Sequence, residues 1–443
     1  MRGRGKEAGE VMEIFGVHFE NSAVGYYRMW LPFDELNRQG LDVCGRYQDE
    51  THVSTVPITR EAAKGGKLIS LEEAAQNSSL MVWQRMTKLE SISAMYGIRE
   101  ATGVPVIAEC DDDLMNVQPV SNAYGKYRDR DPLEDLEVRE IPKGEISNYK
   151  DRRDGILEER DGKWFFITKP TGDARPWGKV FLQEADGITT TTEYLANEFR
   201  KFNPYVYVLP NCLDVPRWER ARLNRKKWDD GTIHFGWFGG MQHYDDLKLI
   251  REVVPELLEK YPNLVFHMTL MQPDFWIDLV EHPRFVHHDY APIQKWPEFL
   301  ASIGLDFALA PLNTAKFNLS KSNVKLLEYG ALGIPCIYSP VGPYTEVVDG
   351  ETGFLASTKQ EWLEKASILV ESSIARMEVS NRALKYVTER YDIRKWAGEW
   401  HKTYEEVYNR SRKMRAKAAD RNRRRLMNGT KDIQGNLSGT PAA

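Results

Sequence analysis

Residues Lys316 to Tyr344, KFNLSKSNVKLLEYGALGIPCIYSPVGPY, decide the fold, because they read as loop, helix, buried strand and glycine turn in direct succession. Asn318 to Ser320 can cap a helix whose first turn carries Lys321 and Ser322. Free backbone N–H groups, the positive end of the helix dipole, an ammonium and a hydroxyl would then meet at one point. A phosphate suits such a point. Lys321, Lys325 and Glu328 follow at spacings of four and three, so their side chains share one helix face. Val324, Leu327 and Ala331 form the neighbouring apolar stripe. Gly333, with Pro335 beyond it, ends the helix. CIYS is short and apolar, as a strand buried on both faces would be. Gly342 then opens a turn into another helix. A diphosphate at the first turn, with Glu328 placed further along for a ribose, fits a nucleotide-sugar. The plainer reading is that Lys325 and Glu328 form a surface ion pair.

The lysine-serine turn, the glutamate on the same face and the Gly-x-Pro junction together resemble the nucleotide-sugar helix of GT-B glycosyltransferases. The resemblance is to the large retaining family that includes sucrose-synthase-like, glycogen-synthase-like and lipopolysaccharide enzymes. It implies an α/β fold of two Rossmann-like doubly wound domains facing each other across a cleft. It also implies that Glu328 contacts the nucleotide ribose. The family usually carries another glutamate eight positions earlier; this chain has Ser320 there.

The 443 residues suffice for two domains. The net charge of −5 gives the chain as a whole no basic field for nucleic acid. Cys44, Cys110, Cys212 and Cys336 are scattered without a C-x-x-C pair, so we expect reduced core thiols in a cytoplasmic protein. No apolar run approaches the ~18 residues that span a bilayer. The basic MRGRGKEAGE precedes too short an apolar run, VMEIFGV, for a signal peptide.

In chain order, VMEIFGVH reads as the first strand, with a glycine-containing loop and an amphipathic helix ending at Gly40. His18, Asn21, Ser22, Gly25, Tyr27 and Arg28 are thereby expected at the cleft, on the acceptor side, although Arg28 could equally be a solvated helix residue. The loop lacks dinucleotide spacing, which argues against an NAD enzyme. LMVWQR and VPVIAEC read as buried strands, and the second runs into Asp111, Asp112 and Asp113. Three adjacent carboxylates need solvent, a cation or a positive ligand to relieve them. They can serve a metal, handle the acceptor or form a solvated turn. An acceptor or structural role is favoured over a metal, because the helix above resembles GT-B, which requires none. Residues 116–176 are rich in charge, Pro and Gly and read as an insertion shaping the acceptor side, with Asp161-Gly162 as a hairpin turn. After YVYVLPNCLD, which resembles the family's strand and Pro-Asn-Gly-x-Asp turn with Cys212 in place of glycine, the first domain should end.

The basic segment 215–231 reads as a linker. TIHFGWFGG is then a strand ending in Gly239 and Gly240, whose backbone can approach a phosphate closely. His243 and Asp246 resemble the His-x-x-Asp of one branch of the family, although a satisfied surface histidine is also open. Many relatives carry an arginine and a lysine here; this chain offers Lys248, and the diphosphate load moves towards Lys321. Pro311 ends a strand where the base or ribose could rest. Tyr391, Trp396, Trp400 and Tyr404 should anchor a last helix that crosses back over the first domain. From Asn409 to Lys431 there are ten Lys or Arg against one Asp, read as a helix extension fading into disorder that could meet an anionic partner.

The expected domains are therefore 11–215, 216–390, a crossing helix 391–410 and a basic tail 411–443. The expected reaction moves a sugar from a nucleotide-diphosphate donor to an acceptor hydroxyl. Retention of configuration, no metal and no cofactor beyond the donor are what the resemblance implies. Lys321, Glu328 and His243 are the catalytic candidates. Gly239, Gly240, Lys248, Ser320, Ser322, Lys325, Pro311 and Gly342 are placed around the donor. The rivals are an epimerase or phosphorylase sharing the cleft, and a noncatalytic binding protein tethered to nucleic acid by its tail. The acceptor, whether glycan, protein or modified nucleic-acid base, is not written in these residues.

Overall fold

The computed structural model describes residues 11–18, 23–48, 58–59, 68–69, 71–85, 89–113, 138–146, 155–160, 163–168, 176–240, 243–269, 274–276, 279 and 281–437. Asn21, Ser22, Asp161, Gly162 and most of 116–176 therefore lie outside the described residues. Two six-stranded parallel sheets organise the molecule. In space the first runs Val206–Val208, Gly187–Thr190, Val106–Glu109, Leu80–Gln84, Met12–His18, Asp42–Gln48. The second runs Phe285–His288, Leu264–Thr269, Ile233–Trp237, Phe307–Ala310, Cys336–Tyr338, Phe354–Leu355. The central strands, such as Leu80–Gln84, Val106–Glu109 and Phe307–Ala310, are buried along their whole length, as parallel strands covered on both faces are.

The strand order reverses once in each sheet. The crevice beyond the strand ends at such a reversal is where doubly wound folds bind ligands. In the second sheet it lies between Ile233–Trp237 and Phe307–Ala310, directly before Gly239 and after which Pro311 follows. In the first sheet it lies between Met12–His18 and Leu80–Gln84. A separate three-stranded antiparallel sheet, Val138–Ile141, Lys163–Thr168 and Gly155–Arg160, belongs to the inserted region, with Arg160 opposite Lys163.

One apolar cluster joins the two halves. Leu36, Leu80 and Ile107 belong to it with Leu326, Leu327 and Tyr329, and Trp400, Tyr404 and Val407 from the last helix complete it. That helix, Ile393–Leu437, packs along Leu31–Gln39 of the first half, with Tyr404 edge-on to Phe33 at 6.4 Å. Its backbone stays helical through the basic run to Leu437. The expected linker is also partly helical. Asp214 accepts from the Arg217 N–H at 3.2 Å to cap Val215–Leu223, and Trp218 is buried. Among the described residues no helix is long and apolar enough to cross a membrane.

Candidate active site

The helix expected to meet a phosphate begins later than its sequence suggests. A short turn of helix, Lys316–Leu319, comes first, and the main helix is Val324–Ala331 with Asn323 at its N-cap. Lys321 and Ser322 occupy the loop between the two. The cause is local competition for donors and acceptors. The Ser320 hydroxyl donates back to the Phe317 carbonyl at 2.7 Å, and the Lys321 N–H donates to Asn318, which closes the first turn early. The Asn323 amide caps nothing in its own helix and donates to Glu346 at 2.5 Å. Gly342 opens a 3-10 turn instead of an α-helix. It sits at φ 54°, and a Cβ there would lie 2.8 Å from the Asn318 carbonyl, so glycine is required for this contact.

Lys325 reaches Gly239, and Lys321 lies close enough for its charge to act on Lys325 and His243. The Lys325 ammonium donates to the Phe238 carbonyl at 2.5 Å and lies 5.2 Å from the centre of the Trp237 ring. A Cβ on Gly239 would stand 2.7 Å from that ammonium and 2.6 Å from the indole, so only glycine lets lysine and loop meet. Burial lowers the Lys325 pKa to about 8; Glu328 opposes this and the nearby Lys321 adds to it. Lys321 itself lies 4.4 Å from the centre of the Phe317 ring.

His243 and Asp246 bolt the Gly-Gly loop to the segment before the helix. Asp246 Oδ2 faces His243 Nδ1 at 2.7 Å, while Oδ1 accepts from the Asn313 N–H at 2.8 Å and the Asn318 amide at 2.7 Å. Burial pushes His243 down to about 4 against its bond to Asp246, and Lys321 and Lys325 push the same way. The ring is therefore neutral near pH 7. With Nδ1–H donated to Asp246, Nε2 carries the lone pair and can accept from a ligand hydroxyl.

Among the described residues, several hydrogen-bonded or ionic contacts reach across from the first half. The Tyr27 hydroxyl donates to Glu328 Oε1 at 2.7 Å. Asn211 donates to the Ser322 hydroxyl at 2.9 Å, the Asp113 N–H donates to the Ser320 hydroxyl at 3.3 Å, and Lys316 pairs with Glu198 at 3.1 Å. Burial raises the Glu328 pKa, and its hydrogen bond from Tyr27 and the charge of Lys325 partly offset that. Ser320, where the family carries a glutamate, is fully buried and is spent on Phe317 and Asp113.

The aspartate run is relieved by Arg85. Its Nε donates to Asp111 at 2.6 Å and its NH2 to Asp112 at 2.7 Å. Burial raises Asp111 above the usual carboxylate range despite Arg85. Burial also pushes Asp112 upwards, but Lys321 across the cleft and Arg85 outweigh it and leave Asp112 low. Among the described residues no group of three or more His, Cys, Asp or Glu is arranged to hold a metal.

Arg28 departs from its expected place. It lies in the π-helical turn Tyr26–Trp30 and is wholly buried, with Nε 2.7 Å from Glu109 Oε1 and its guanidinium 4.9 Å from the Trp400 ring centre. The turn aims Tyr27 at Glu328 and its neighbour into the core. Gly25 is buried just ahead of the same turn. Lys248 also departs: it is exposed and paired with Asp245 at 2.8 Å, the partner one helical turn earlier. Pro311 is buried at its strand end and Gly240 is half-buried. Two residues escaped the sequence reading. Asn211 accepts from Arg28 at 3.2 Å while donating to Ser322, so it links the buried pair to the 320–323 loop. Arg85 has φ 50°, alone among the described non-glycine residues in being positive, at a strand end beside the reversal. A charge following LMVWQ at that position was the available signal.

No family model and no curated protein matches the sequence. Solved structures do match the fold. HepE from Anabaena in complex with UDP-glucose aligns with TM-score 0.54 at 11% identity, over 88% of this chain and 99% of that one. Sucrose-phosphate synthase from Thermosynechococcus elongatus aligns at 0.55 and 13% identity, over 90% and 99%. The catalytic domain of starch synthase IV from Arabidopsis thaliana, bound to ADP and acarbose, aligns at 0.55 and 10% identity, over 91% and 99%. Identities this low speak to architecture alone, and that architecture is GT-B: two parallel-sheet α/β domains of the kind these glycosyltransferases share.

Proposed function

We propose that the chain is a glycosyltransferase that takes a sugar from a nucleotide-diphosphate donor and passes it to an acceptor hydroxyl. The observation that carries this reading is Lys325 set against Gly239 at the sheet reversal, with Lys321 close enough for its charge to act on it. The two ammonium groups repel each other, and one of them is partly buried. A diphosphate would relieve both. It would meet the Gly239-Gly240 loop on one side and the 320–323 loop on the other, and charge growing on the leaving diphosphate would be stabilised there. Glu328 is set for the ribose and His243 Nε2 for a donor-sugar hydroxyl. Asp112, held by Arg85 and facing Lys321, lines the acceptor side. Retention of configuration and independence from metal follow from the family resemblance. That structures of the same fold carry UDP-glucose or ADP supports a nucleotide donor.

A thermal-shift titration with UDP-, ADP-, GDP- and TDP-sugars tests the reading, since a ligand that binds the native state raises its melting temperature, and does so more the tighter it binds. One nucleotide class should stabilise the protein in a saturable way. Absence of any shift across the four at millimolar concentration would sink the proposal.

A further inference from the structure

We propose that the C-terminal helix and the groove at its root form a docking surface for the phosphodiester backbone of nucleic acid. The chain carries −5 overall, yet residues 409–431 hold ten Lys or Arg and one Asp, a local +9. The helix is docked as far as Ser411, whose hydroxyl donates to Asp186 at 2.5 Å. Arg412, Lys413 and Lys417 are exposed, and the helical backbone goes on to Leu437, about 39 Å beyond Ser411 at the usual rise. The backbone that carries these residues is one continuous helix, so their Cα positions are spread along a single axis.

At the foot of this stretch of helix lies a groove of about 410 Å³ lined by Ser78, Thr102, Gly103, Tyr408, Arg412 and Arg415. It opens beside the starts of strands Leu80–Gln84 and Val106–Glu109, whereas the candidate active site lies at strand ends. A polymer held there leaves the donor cleft open. Arg412 donates to the Tyr408 hydroxyl at 3.3 Å and Arg415 to the Val104 carbonyl at 3.3 Å, and both line the groove.

Composition separates nucleic acid from a membrane surface. An interfacial helix needs a wide apolar face with aromatic or leucine side chains to bury. Residues 409–431 offer Met414, Leu426 and Met427 as their large apolar side chains and no aromatic. Seven of the ten cations are arginine, the planar fork that grips phosphate with two bonds.

Fluorescence anisotropy of the full chain with a short labelled duplex DNA tests the proposal, beside flotation with phosphatidylserine vesicles. The wild type should bind DNA, and affinity should fall about 100-fold between 50 and 200 mM salt, as four or so phosphate contacts require. Replacing Arg421, Arg423, Arg424 and Arg425 together by Gln should flatten that salt slope by about three and leave circular dichroism and donor-induced thermal shifts unchanged. R412Q/R415Q should weaken binding further. The proposal is overturned by no DNA binding at 50 mM salt, by binding indifferent to salt or to the Gln variant, or by vesicle binding in its place.

Discussion

At the scale of single residues, the two lysines of the 316–331 segment are expected to behave differently. Removing Lys321 deletes a charge-assisted contact worth about 1.5–3 kcal/mol. K321A should therefore weaken nucleotide-diphosphate binding roughly 10- to 100-fold with little change in melting temperature, as calorimetry and a thermal scan would show. K248A, which removes an exposed partner of Asp245, should bind within about twofold of wild type. Lys325 adds a pH signature. Its pKa of about 8 in the free protein means the ammonium dominates below pH 8 and the amine above it. A bound diphosphate favours the ammonium, so affinity should fall as pH rises through 8, with a limiting slope of about one proton. That slope should vanish in K325M. A flat affinity profile between pH 7 and 9 in the wild type would remove Lys325 from the site. Sequence reading reached these residues because lysine, serine and glutamate at helical spacing are a local pattern. It missed Arg85 and Asn211 because each acts through partners 26 and 111 positions away, a distance no local pattern carries. Arg28 was misplaced for the same reason: its spacing was right for the cleft, but Glu109 sits 81 residues further on and draws it inwards.

At the scale of elements, the second sheet holds a histidine chain that sequence periodicity does not suggest. His234 Nδ1 lies 2.7 Å from His267 Nε2, and His267 Nδ1 lies 2.8 Å from His288 Nε2. The three strands are parallel, and each histidine sits two residues beyond the partner position of the one before, so all point to one face on a diagonal. The first of these strands, within TIHFGWFGG, was legible as an apolar run, but the register of all three decides this contact, and register is not legible from one sequence. Thr232 donates to Asp230 and meets His234 Nε2 at 2.6 Å, which fixes the proton order along the row. Each ring should be neutral with its proton on Nε2, as nitrogen chemical shifts would report. Burial, with the adjoining rings His288 and His234, lowers His267 to about 3. Between the ordinary histidine value and pH 3 the unfolded chain takes up a proton that the folded chain refuses, so stability falls as pH falls through that window. H267Q, which keeps a donor and an acceptor, should show a shallower loss of melting temperature from pH 6.5 to 4 than wild type. Parallel profiles would place the acid sensitivity elsewhere.

At the scale of the whole molecule, the last helix ties the halves together, and its contribution can be separated from the donor site. Trp400, Tyr404 and Val407 are fully buried against the first half, while Ile393 donates its N–H to the Leu213 carbonyl at 3.0 Å, between the two sheets. The donor contacts argued above come instead from the second half: Gly239, His243, Lys321, Lys325 and Glu328. W400A removes a large buried ring and the cation–π contact with Arg28, leaving a cavity around the buried Arg28–Glu109 pair. A loss of about 3–5 kcal/mol is expected. Since that loss falls on the first half, W400A should melt in two steps, the lower one insensitive to nucleotide and the upper one still raised by it. Calorimetry with and without saturating nucleotide reads both. A single transition that loses all response to nucleotide would mean that the donor site depends on the docked helix, and the second sheet could not then be treated as the unit that holds the donor.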